Sequence, residues 1–327
     1  MSTPRNTIGS RAAPLDMVPT RDGYGKGVVD AGERDERVVV LCADLTESTR
    51  SHWFAERFPE RFIQVGVAEQ NLAVIASGLA AAGKIPFIAS YATFSPGRNN
   101  EQIRTNICLN DVPVKVVGAH AGISVGPDGA THQALEDIAL MRVLPNMTVV
   151  VPCDAIEARK ATRAIAETAG PAYLRLGREK SPVITDDQTP FEIGRAHALQ
   201  EGDDVAIIAC GILVHEALVA ADLLASEGIA CTVLNNHTIK PMDEGAVVSA
   251  ARRCGAVVTA EEHQVAGGMG SAVAEMLARV YPVPIEFVGI GDRFGESGAP
   301  AELMNAFGLT AERIVVAAKN VLARKSG

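Results

Sequence analysis

Glu69, within Gly66-Val67-Ala68-Glu69-Gln70-Asn71, stands where one kind of sequence pattern gives way to another. The apolar stretch from Arg61 to Val67 reads as a short buried strand. Leu72, Ile75, Ala76, Leu79 and Ala80 then recur at helical spacing until Gly83 closes the run. A carboxylate at such a turn lies at the carboxyl edge of a parallel sheet, where ligands bind. The helix N-terminus there favours its charge by about 0.3 to 1 kcal/mol. By itself the residue could equally do no more than complement the helix dipole. Two further strand ends raise the interest. Tyr91 and Phe94 follow the apolar run Pro86–Ser90, and His120, Asp128 and His132 follow Val114–Ala119, in a loop carrying glycines at 118, 122, 126 and 129. Flat apolar rings suit a flat heteroaromatic ligand. Histidines titrate near neutrality and can move protons, and glycines let backbone approach a ligand closely.

These residues need a scaffold that gathers strand ends. Strands are expected at Val38–Cys42, Phe62–Val67, Pro86–Ser90, Val114–Ala119 and Thr148–Val151. Helices are expected at Gly23–Arg34, Glu69–Ala82, Asn99–Leu109, His132–Val143 and Ala155–Thr168. After a polar stretch, Ser181 to Glu192, strands at Val205–Ala209, Ala230–Leu234, Ala256–Ala260 and Ile285–Val288 alternate with helices, the last near Ala311–Ala323. Both halves are βα repeats, so the fold class is α/β: two consecutive domains, each a mostly parallel sheet flanked by helices. The expected division is a tail at 1–14, a first domain at 15–183, a linker at 184–192 and a second domain at 193–327.

Read in order, GVAEQN, YATF, GAHAGISVGPDGATHQ, LPNMTVVVPCD and YLRLGR make the chain from about Arg21 onward resemble the thiamine-diphosphate enzymes of the transketolase family. The resemblance is to that family's pyrimidine-binding domain and C-terminal domain. It implies that Glu69 hydrogen-bonds N1′ of the aminopyrimidine and promotes the tautomer that deprotonates the thiazolium C2. It further implies that Phe94 stacks on the pyrimidine with Tyr91 beside it, and that His120 and His132 contact donor hydroxyls and shuttle protons. Asp128 matches an aspartate that binds a substrate hydroxyl. Arg178 matches an arginine that grips a sugar phosphate, work suited to a planar fork of donors, and Arg21 matches a second one. Two departures stand out. The family's further aromatic three residues after the stacking phenylalanine is Gly97 here, and the Gly-Asp-Gly segment that holds Mg²⁺ and the diphosphate is missing from the chain.

The resemblance therefore implies half a cofactor site: the C-terminal subunit of a split transketolase, with an N-terminal partner subunit supplying the metal end, most simply in an α2β2 assembly. The reaction implied is transfer of a two-carbon ketol unit from a ketose phosphate to an aldose. A deoxyxylulose-phosphate synthase or a 2-oxo-acid dehydrogenase β-type subunit is the alternative, and an orphan binding protein a further one.

Composition narrows the field. With 47% hydrophobic residues, each half can bury a core. The net charge of −9 disfavours nucleic acid, whose phosphates need clustered Lys and Arg. No apolar run reaches the roughly 20 residues of a membrane span. The six cysteines lie without paired spacing, several in apolar strands, and read as reduced core residues of a cytoplasmic protein. Gly122-Ile123-Ser124-Val125-Gly126 has the spacing of a serine nucleophile elbow but leads into Pro127-Asp128-Gly129 rather than a helix. Gly268-Met269-Gly270 lacks the third glycine of a dinucleotide loop and reads as a close-packing or subunit-contact segment. Glu261, Glu262 and His263 before it are expected to lie away from the pyrimidine and to take no part in catalysis.

Overall fold

The computed structural model describes residues 15–325, so the expected tail lies outside the described residues. Short valine-rich runs, Val38–Cys42 and Lys115–Ala119 among them, form strands buried on both faces. That is the signature of a parallel sheet covered by helices. The first sheet has seven strands in the order Thr238–Lys240, Thr148–Val150, Ala172–Arg175, Lys115–Ala119, Ile85–Tyr91, Val38–Cys42, Phe62–Gln64. All neighbours are parallel except Thr238–Lys240, an edge strand that runs antiparallel to Thr148–Val150. The second sheet has five strands, Ile285–Ile290, Val257–Gln264, Val205–Ala209, Cys231–Asn235 and His197–Gln200, the last again antiparallel.

The two units are stitched together in a way the βα alternation does not reveal. Thr238–Lys240 comes from the second half of the chain yet completes the first sheet. One apolar core runs on between them, with Leu41, Ile88 and Val116 sharing a cluster with Ile208, Val257 and Leu277. Lys180–Pro182, at the start of the polar stretch, pairs antiparallel with Met17–Pro19 and closes the first unit on itself.

Three expected elements are cut short or change type. The strand expected to reach Val67 ends at Gln64, because Gly66 takes a left-handed φ of 71° and Gln64 Oε1 accepts the N–H groups of Asp44 and Gly66. The helix expected from His132 begins only at Asp137. Ahead of it, Ala134 bridges to Ala121, and the Gln133 side chain donates to the carbonyls of Ile123, Gly126 and Glu296, so this segment stays extended. The helix expected at Asn99–Leu109 is one α-turn, Asn100–Gln102, followed by a π-helix at Ile103–Cys108. All six cysteines are buried and unpaired, and among the described residues no helix is long and apolar enough to cross a membrane.

Candidate active site

The strand ends of the first sheet converge as a parallel sheet requires. Glu69 opens the helix Glu69–Ala81 and is 4% exposed, and the Asn99 side chain donates to its carbonyl at 3.0 Å. Tyr91 ends the strand Ile85–Tyr91, and Phe94 follows one turn later with its ring nearly parallel to Tyr91, centroids 5.9 Å apart. His120, just past Lys115–Ala119, stacks on Tyr91 at 3.9 Å. His132 meets Phe94 edge-on at 5.3 Å. The loop that carries His132 is thus positioned by Gln133 and Ala134 rather than by a helix.

His120 is buried in the left-handed region, φ 54°. Arg21 Nη1 lies 3.3 Å from its Nε2; a guanidinium can only donate, so Nε2 accepts and the proton sits on Nδ1. Burial, reinforced by Arg21 and Arg178, pushes the imidazole down to about 3, so it works as a neutral ring. Its Nδ1–H is buried with no protein partner. A buried donor left open beside two arginines is suited to an oxygen of an anionic or hydroxylated ligand. Burial also lowers the Arg21 guanidinium, with Arg50 adding to the effect.

Arg178 donates from Nη1 to the Val125 carbonyl at 2.6 Å and lies 3.9 Å from Asp128 Oδ2. Both belong to the tight turn Ile123–Asp128, which is pinned from the other unit. Ser124 N–H donates to Glu262 Oε1 at 2.7 Å, and a Cβ on Gly122 would stand 2.2 Å from the same carboxylate. Ser124 is buried beneath this contact, not raised on an elbow as a nucleophile. Glu262 thus braces the turn that carries Asp128 rather than the Glu69–Phe94 end of the site. Arg175 donates to Asp137 at 2.8 Å and to the Glu262 carbonyl at 2.8 Å, Tyr173 Oη donates to Asp137 at 2.7 Å, and His263 accepts from Ala139 N–H. Glu261 does lie elsewhere. It accepts the N–H groups of Met269 and Gly270 at the start of Met269–Val280, and a Cβ on Gly268 would fall 2.3 Å from its carboxylate, which explains the glycines there as close packing.

Arg98 was not anticipated. Its guanidinium lies over the Phe94 ring at 4.0 Å and its Nη1 donates to Glu69 Oε1 at 3.1 Å. Gly97 beside it cannot carry the family's aromatic in this turn, since its Cβ would stand 2.0 Å from the Thr93 carbonyl oxygen.

A buried carboxylate at a helix start, two near-parallel rings and a neutral histidine beside two arginines lie together, chemistry that suits a flat nitrogenous ring and an anion. Family models match both halves of the chain. Residues 16–183 match the transketolase pyrimidine-binding domain and 194–314 the transketolase C-terminal domain. The chain belongs to the transketolase family. It is 44% identical over 306 residues to the 6-deoxy-6-sulfo-D-fructose transketolase subunit SqwH of Clostridium sp. (strain MSTE9), covering 94% of this chain and 95% of that one. It is 38% identical over 301 residues to a 1-deoxy-D-xylulose-5-phosphate synthase of Desulforudis audaxviator, covering 91% of this chain but 47% of that one. Among solved structures it superposes on a split gene transketolase, an inactive beta4 tetramer, with a TM-score of 0.89 and 49% identity over 94% of this chain and 99% of that chain. The kinship is to thiamine-diphosphate-dependent transferases, and within them to subunits of split members.

Proposed function

We propose that the chain is the C-terminal subunit of a split transketolase, supplying the pyrimidine pocket and the substrate-facing groups of an enzyme that moves a two-carbon ketol unit from a ketose phosphate to an aldose. The observation that carries this reading is the continuous set Glu69, Phe94, Tyr91, His120 and Arg21, each within contact reach of a neighbour in the set or joined to it through Arg98. Thiamine diphosphate, when bound, would supply the nucleophilic carbon for the transfer. The residues present fit its pyrimidine end: Glu69 for the ring nitrogen, Phe94 and Tyr91 for the ring face. Nothing in the sequence matches the diphosphate end, for which an N-terminal partner chain with Mg²⁺ is proposed. Val67, 70% exposed, and Val74, 43% exposed, flank Glu69 with an apolar edge that such a partner would cover.

In this reading the protein's own work is placement and proton handling. Glu69 fixes the ring nitrogen. His120 offers its Nδ1–H to a donor oxygen, and His132, half buried at the rim, exchanges protons with substrate hydroxyls. Arg21 and Arg178 hold a phosphate, and Asp128 orients a hydroxyl beside Arg178. The test is Glu69→Ala in the assembled enzyme. Turnover falls at least about 100-fold while folding and partner binding persist, and unchanged turnover would refute the role. The synthase relative motivates a second reading, a deoxyxylulose-phosphate-synthase-like subunit. Pyruvate decarboxylation without ketose donor activity would favour it.

A further inference from the structure

Arg98 meets the same two groups that the proposed function gives to the aminopyrimidine. Its guanidinium, a flat cation, lies 4.0 Å from the centre of the Phe94 ring, the separation of a stacked partner. The same side chain donates to Glu69 Oε1 at 3.1 Å, where the ring nitrogen would be held. Glu69 is 4% exposed and Arg98 51% exposed, so the carboxylate is fixed while the arginine can swing outward into solvent. Resting on the function proposed above, we propose that Arg98 is a displaceable occupant of the pyrimidine pocket: it neutralises Glu69 and covers Phe94 until the aminopyrimidine of thiamine diphosphate takes both contacts from it.

An occupant lowers apparent affinity by the fraction of time the pocket stands open. One half-exposed ion pair with one cation–π contact closes the pocket about nine-tenths of the time, a tenfold effect. The test is calorimetric titration of thiamine diphosphate with Mg²⁺ into the assembly as it purifies, comparing wild type, Arg98→Ala, Glu69→Ala and the double variant. Arg98→Ala is expected to bind about tenfold tighter, whereas any damage to packing would weaken binding. In the Glu69→Ala background the gain disappears, because Arg98 has lost its anchor. Equal or weaker binding by Arg98→Ala, or an equal gain with and without Glu69, would overturn the inference and leave the proposed function standing. A wild-type assembly that binds no thiamine diphosphate would instead overturn the proposed function, and this inference with it.

Discussion

His120 shows how a residue's surroundings decide its chemistry. Its ordinary value of 6.5 is pushed down to about 3 by burial and by Arg21 and Arg178. Below pH 6.5 the unfolded chain therefore takes up a proton that the folded chain refuses. The stability this ring contributes is complete above that pH and is lost as pH falls toward 3, at up to about 1.4 kcal/mol per pH unit. His120→Phe should flatten the dependence of the urea midpoint on pH across that window; an unchanged slope would show that the ring takes up its proton in the fold as readily as in the unfolded chain. Glu69, Tyr91, Phe94, His120 and His132 were legible because a motif fixes residue types at fixed places along adjacent strand ends. Arg98 was not, because a long side chain's destination depends on a turn whose geometry, set by the Gly97–Thr93 approach, is not written in residue type. The contact of Glu262 was not legible for a different reason: its partner Ser124 lies 138 positions away in the chain.

The turn Ile123–Asp128 carries the Arg178 and Asp128 contacts but is itself held by Glu262 from the second unit. Glu262→Ala removes a charge-assisted bond to a backbone N–H, a loss of about 1.5 to 3 kcal/mol in local order. The expected outcome is a KM for the sugar phosphate raised on the order of tenfold with thiamine diphosphate affinity unchanged, read from steady-state kinetics beside calorimetry. A fall in cofactor affinity instead would place Glu262 on the pyrimidine side. The buried Asp137–Arg175 pair, 1% and 6% exposed, joins the helix Asp137–Arg142 to the strand Ala172–Arg175. Removing one partner with Asp137→Ala should destabilise the fold by about 3 to 5 kcal/mol, seen as a lower urea midpoint. Periodicity placed most strands and the Glu69 helix to within a residue or two. It failed from His132 to Glu136, where apolar spacing reads as a helix but the Gln133 side chain is committed to three distant carbonyls.

At the scale of the whole chain, the α/β alternation was legible and the join between the halves was not. Thr238–Lys240 is three residues long, too short for a period, and its pairing with Thr148–Val150 is decided by tertiary packing. The absent Gly-Asp-Gly, by contrast, was visible from sequence alone and leads to the account's central claim, that this chain holds one half of a thiamine diphosphate site and a partner chain holds the other. That claim is tested most directly by a native pull-down of the chain from its own cells, with mass spectrometry of what co-purifies and a ketol-transfer assay of the eluate with thiamine diphosphate and Mg²⁺. The account predicts a stoichiometric partner bearing Gly-Asp-Gly and an eluate that transfers ketol units. A chain that elutes alone, or with a partner lacking that segment and with no transfer activity, would contradict it.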